Sequence, residues 1–113
     1  MGLIATNNVQ TIYGERSASL ASNNVSLSAL TSFCHTDTGK RYVHLRDGAP
    51  GQMKIIVHKE RLNSASLIIA FDNFALGDYL TSDSAGRSVL LIFDGDNWQS
   101  LGEITGTQEW VAS

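Results

Sequence analysis

The sequence predicts an all-β fold: an antiparallel β-sandwich, jelly-roll-like, with an extended N-terminal arm. Three observations lead there. The first is the stretch Arg87 to Gly102, an apolar run (Val89 to Phe93), a turn (Asp94-Gly95-Asp96-Asn97), and a return that begins at Trp98. A run that short, β-branched and aromatic, reads as a strand, and the turn residues read as the bend of a hairpin. The second is composition. Only 17% of the 113 residues are charged and there is one proline, whereas a helical bundle needs Glu, Lys and Ala in quantity. The third is cadence, roughly seven to nine short strand-like segments separated by polar turns.

Taken in order, residues 1–13 read as an arm with a first strand, Leu3 and Ile4 its early anchors and Val9 to Tyr13 the strand, and residues 14–113 as the single sandwich domain. Gly14-Glu15-Arg16 breaks the strand. The serine-rich stretch that follows suggests a strand at Val25 to Leu27, with a short helix through Leu27 to Phe33 as the competitor. Thr36-Asp37-Thr38-Gly39 is a turn. Arg41 to Arg46 alternates, and Gln52 to Lys59 alternates with Met53, Ile55 and Val57 on one face and Lys54, Ile56 and His58 on the other. Asp47 to Gly51 between them reads as a hairpin turn that would make His44 and His58 neighbours. Ala65 to Phe71 is apolar on both faces, Asp72-Asn73 a turn, Tyr79 to Thr81 a short strand, and Ser82 to Gly86 the turn into the final hairpin.

Several classes are set aside by composition. The net charge is −3, which predicts no nucleic-acid partner. No run approaches the roughly 18 apolar residues of a membrane span, and no signal peptide is visible. Cys34 is the only cysteine, so no internal disulfide is expected, as suits a reducing cytoplasm. The Met1 start is expected of a complete small gene product. Basic residues (Lys40, Arg41, Arg46, Lys54, Lys59, Arg61) crowd the centre and acidic ones the C-terminal half. One reading is a solvated surface; the other is two faces of opposite sign meeting between identical subunits.

Chemistry is sparse. His35, His44 and His58 match no zinc spacing. Asp94-Gly95-Asp96-Asn97 lacks the closing glutamate and later acidic position of a calcium loop. No nucleophile elbow, phosphate loop or dinucleotide fingerprint occurs. No enzyme, metal site or cofactor is therefore expected. Two strands apolar on both faces, however, need cover on both sides, which a two-layer sandwich does not supply. That predicts subunits packed together, and Trp110 in the polar C-terminal tail either docks on a neighbouring subunit or folds back on its own domain.

The segments Leu45-Arg46-Asp47-Gly48, Gly51-Gln52-Met53-Lys54-Ile55-Ile56, Asn73-Phe74 with Gly77, Leu91 to Trp98, and Leu101-Gly102 resemble a small β module. That module recurs in virion proteins of tailed bacteriophages and some large aquatic DNA viruses. The resemblance implies a capsid decoration (cement) protein on the virion exterior, made in the host cytoplasm. It implies a homotrimer bound to the major capsid protein, stabilising the DNA-filled head, with Leu3, Ile4, Val9, Ile12, Tyr13, Trp110 and Val111 as the expected capsid or intersubunit contacts. The alternative it implies is a fibre or knob module binding a receptor or carbohydrate, with Trp98, Tyr79 and the turn aspartates at a loop end.

Overall fold

The computed structural model describes residues 9–17, 23–101 and 110–113. It contains nine strands among those residues: β1 (Val9–Tyr13), β2 (Thr31–Thr36), β3 (Lys40–Leu45), β4 (Met53–Arg61), β5 (Ser66–Phe74), β6 (Gly77–Ser82), β7 (Arg87–Phe93), β8 (Trp98–Ser100) and β9 (Val111–Ala112). Most of the expected strands are present. Outside the final hairpin their partners are not the expected ones.

β1 pairs with β2 and β2 with β4, all in parallel. β3 pairs in parallel with β5. The chain thus alternates between two walls, β1-β2-β4 in one and β3-β5 in the other, and each return to a wall lays a strand beside the last. Before β3, Asn24 makes a parallel bridge to His44 in the second wall. In the first wall the offset between paired residues is 22 from Gln10 to Ser32 and 24 from Cys34 to His58. In the second it is 20 from Asn24 to His44. This is a coiled repeat, a β-solenoid, and no internal repeat of that kind is apparent in the sequence.

The winding then reverses. Ala75-Leu76 turns β5 into β6, antiparallel to it, and β7 runs antiparallel to β4. Together β6 and β7 form a fourth coil wound backwards, giving a mixed-sheet solenoid of about four turns. β8 continues the first wall as a hairpin with β7, β9 continues the second beside β6, and the walls touch through the Phe74 and Trp98 bridge. Gly77 permits the reversal: its φ is +144°, and a Cβ there would stand 2.6 Å from the Ser113 carbonyl oxygen.

The antiparallel jelly-roll sandwich is therefore corrected. A jelly roll pairs strands antiparallel, whereas three of the long pairings here are parallel. The bacteriophage virion resemblance, the cement function and the fibre-knob alternative rested on that sandwich module, and they are overturned with it. The Asp47 to Gly51 turn is real but crosses from one wall to the other, so β3 and β4 do not form a hairpin. No strand forms at Val25 to Leu27, and Asp72-Asn73 lies within β5. The final hairpin is as expected, with Phe93 opposite Trp98. Glu103-Ile104-Thr105 lies outside the described residues. Among the described residues no helix is long and apolar enough to cross a membrane.

The core lies between the walls. Val43, Leu45, Leu67, Ile69 and Leu80 face inward from the second wall; Ile12, Cys34, Ile56, Val89 and Leu91 from the first. Trp98 bolts the reversed end. It is fully buried, its ring meets Phe93 edge to face at 5.3 Å, and its Nε1 donates to the Arg46 carbonyl at 2.9 Å. Trp98→Ala should lower stability by about 3–5 kcal/mol in urea unfolding. Trp98→Phe, which keeps an aromatic ring but leaves the Arg46 carbonyl without its donor, should cost about 1–3 kcal/mol. A loss below about 1 kcal/mol for the alanine variant would remove Trp98 from that role.

Candidate functional site

The inner face of the first wall carries an unusual row. In β2 the buried positions are Ser32, Cys34 and Thr36; in β4 they are Lys54, Ile56 and His58. The apolar alternates of β4 (Met53, Ile55, Val57) point outward, and so does Phe33 of β2. The alternation in the sequence is correct in period, but its more polar side is the one turned inward.

Each buried polar group has work in holding the coils together. Lys54 Nζ donates to the carbonyls of Ser26 and Ala29, both at 2.7 Å. Gln10 Oε1 accepts from the Ser32 hydroxyl at 2.6 Å and from the Ser26 amide at 2.9 Å. Gln52 donates to the Leu27 carbonyl and accepts from the Ala49 amide. The corner at residues 26–29 has few ladder partners of its own, so these side chains satisfy its backbone groups. Burial pulls the Lys54 ammonium down to about 8. It also pushes the Cys34 thiol up to about 12, which makes it a poor nucleophile.

His58 is buried between two hydroxyls, Thr36 Oγ1 at 2.8 Å from Nε2 and Ser82 Oγ at 2.9 Å from Nδ1. Each hydroxyl also reaches a backbone carbonyl, Thr36 that of Glu60 and Ser82 that of Ser84, so the ring sits in a closed polar network. Burial, then the charges of Arg61 and Arg87, holds the ring down to about 4. His44 lies in the other wall, bonded to Asp72 and Asn24, so the two histidines are not neighbours. His35 meets Glu60 at 3.0 Å and stacks on Tyr13. Among the described residues no group of three or more His, Cys, Asp or Glu side chains is placed to hold a metal ion.

The Asp94 turn closes on itself. One carboxylate oxygen accepts from the Asp96 and Asn97 amides and the other from Gln99. The Asn97 amide is the largest influence holding that carboxyl below its ordinary range, followed by Gln99. The six central cations do not form one face either: Lys54 is inside, Arg41 pairs with Asp37 at 2.6 Å, and Lys59 lies over the Phe33 ring on the first wall.

Of the expected contact residues, Leu3 and Ile4 lie outside the described residues. Ile12 and Trp110 are buried in the core of this chain, while Val9, Tyr13 and Val111 are exposed. A further group of apolar side chains, none of them among the expected contacts, lies on the outer side of the first wall. Register places Phe33 beside Val57, Ile55 beside Leu90, and Met53 beside Ile92, all on the outer side of the first wall. Met53 is 41% and Leu101 51% exposed at its margin, and Ile55, Val57, Leu90 and Ile92 are half-buried. The signal for it was present in the sequence as the apolar side of β4, read there without knowing which side faced solvent.

Comparison with protein-family models, curated proteins and solved structures gives no match.

Both displaced bases make stability depend on pH in the same sense. The folded His58 ring ionises near 4 and the unfolded one near 6.5, so the unfolded chain binds more protons between those values and stability falls as pH drops through the window. The Lys54 contribution rises likewise from about 8 to 10.5. The urea midpoint should climb in both windows with a plateau between. His58→Gln should flatten the lower climb and Lys54→Met the upper. Unchanged slopes in the variants would contradict the burial of these groups.

Proposed function

We propose that the chain is a non-catalytic assembly module that pairs with a second copy of itself through the outer face of the first wall. The observation that carries this is the inverted polarity of β4: its apolar side is outside and its ammonium and imidazole are inside. A sequence that buries Lys54 while leaving Met53, Ile55 and Val57 outward has given that outer face a partner-facing composition.

The second copy is favoured over an unrelated partner by periodicity. Over β4 and β7 the face keeps one register and the two-residue pitch of a strand, from Met53 opposite Ile92 to His58 opposite Arg87. Rotated about a two-fold axis it meets rows of identical spacing, the condition for an isologous contact. The molecule measures 38 × 30 × 29 Å, so a face of it is of the size that ~800 Å² per partner requires. A homotrimer followed only from the virion resemblance; a two-fold pair is the assembly in which this one face meets itself.

The buried, displaced titratable groups are occupied as structural bonds in the core, which supports a role without turnover. Sedimentation analysis should find a dimer at tens of micromolar. Met53→Lys with Leu101→Lys, both at exposed positions, should leave the fold unchanged and lower the melting temperature only by the contribution of pairing. Placing ammonium groups in the contact should weaken pairing by at least about tenfold. A wild-type monomer at every concentration would sink the reading.

A further inference from the structure

The opposite side of the molecule carries a second feature that pairing through the first wall leaves free. On the outer face of the second wall, register sets three rows across the strands. Lys40 lies beside Ser66; Tyr42 beside Ile68 and Thr81; His44 beside Ala70 and Tyr79. Ile68 is buried even though it points outward, and the rings of Tyr42 and Tyr79 stand edge to face at 6.4 Å. Between them lies an open groove of about 380 Å³. At one end the Ser66 hydroxyl donates to the Asp83 carboxylate, and Lys40 lines the same groove.

We propose that this groove is a saccharide-binding site for one or two pyranose rings. A pyranose has flat faces of C–H groups and a rim of hydroxyls that both donate and accept. Tyr79, 39% exposed, offers the aromatic surface for such a face and Ile68 the apolar floor. Among the described residues the polar lining is rich in hydroxyls, from the two phenols, Ser66, Thr81 and Ser113, with the Asp83 carboxylate to accept from sugar hydroxyls. The volume is within the range of small-molecule pockets.

The same lining disfavours other ligands. A phosphorylated ligand calls for guanidinium groups or converging backbone amides, whereas among the described residues this groove is lined by no arginine and holds Lys40 together with Asp83. An acyl chain calls for a longer apolar channel than Ile68 and two phenols supply. The groove lies on a sheet face, and of the residues the overturned knob reading named it shares Tyr79 with it but not Trp98, which is buried in the core. In the proposed pair the two grooves would face outward on opposite sides, so a polymeric ligand could be held at both.

The test is an amide chemical-shift titration of the wild-type chain with maltotriose, cellotriose, chitotriose and galactobiose. At least one should produce saturable shifts confined to the strands bearing Tyr42, Ile68, Tyr79 and Thr81. Tyr79→Ala should weaken that binding about tenfold or more, while Tyr79→Phe, which keeps the ring, should weaken it less. Thr81→Val, nearly isosteric, guards against a folding artefact and should also weaken binding with the spectrum otherwise intact. No saturable shift with any of these probes, shifts centred elsewhere, or full binding by Tyr79→Ala would overturn the proposal. None of these outcomes depends on whether the chain pairs through its first wall.

Discussion

The interaction on which the rest of the structure depends is the Lys54 ammonium, buried and bonded to the Ser26 and Ala29 carbonyls. A chain that stacks coils in parallel must turn a corner between walls on every circuit, and the backbone groups of a corner are not all matched by the coil above. Lys54 in the third coil reaches into the corner of the first and satisfies two acceptors at once. Gln10 and Gln52 do the same for neighbouring groups. No carboxylate accompanies the ammonium among these bonds, so its charge is stabilised by carbonyl dipoles alone, and its proton is held less tightly than in water.

That requirement sets the polarity of the first wall. Placing Lys54 inward obliges Ile56 and His58 to point inward and Met53, Ile55 and Val57 to point out, because a strand offers only two sides. His58 is then accommodated by the two hydroxyls of Thr36 and Ser82. The apolar outer face follows from the same choice. The second wall is ordinary by comparison: Leu67, Ile69 and Phe71 face the core, and the outward pair Ile68 and Ala70 is screened on its own face. β5, apolar on both sides, is thus covered within the chain. β7 is covered on one side by the core and half-open on the other, which is where a partner is proposed.

What could be read from the sequence was local. Val89 to Phe93, the Asp94 turn and Trp98 form the hairpin their residues suggest, because turn chemistry and a short apolar run act over a few residues. The direction and partner of each strand were not legible. Asp47 to Gly51 has the composition of a turn, but nothing in it distinguishes a bend within one sheet from a step between two walls. The two-residue period of β4 was plain, yet period alone does not say which side is buried, and hydrophobicity pointed to the wrong one. Trp98 gave no sign that the Arg46 carbonyl, 52 residues earlier, would be its acceptor. The virion resemblance failed for a related reason: it rested on turn and strand residues that any all-β chain can share.

The central claim is that β1, β2 and β4 are stacked in parallel and that the winding reverses only after β5. Nuclear Overhauser contacts test this most directly, because antiparallel neighbours bring α-protons of opposed residues close together and parallel neighbours do not. The account predicts such α-proton contacts between β4 and β7 and between β5 and β6. It predicts side-chain contacts of Phe33 with both Thr11 and Val57, without close α-proton pairs among β1, β2 and β4. Close α-proton contacts between β3 and β4, or between β2 and β4, would contradict it.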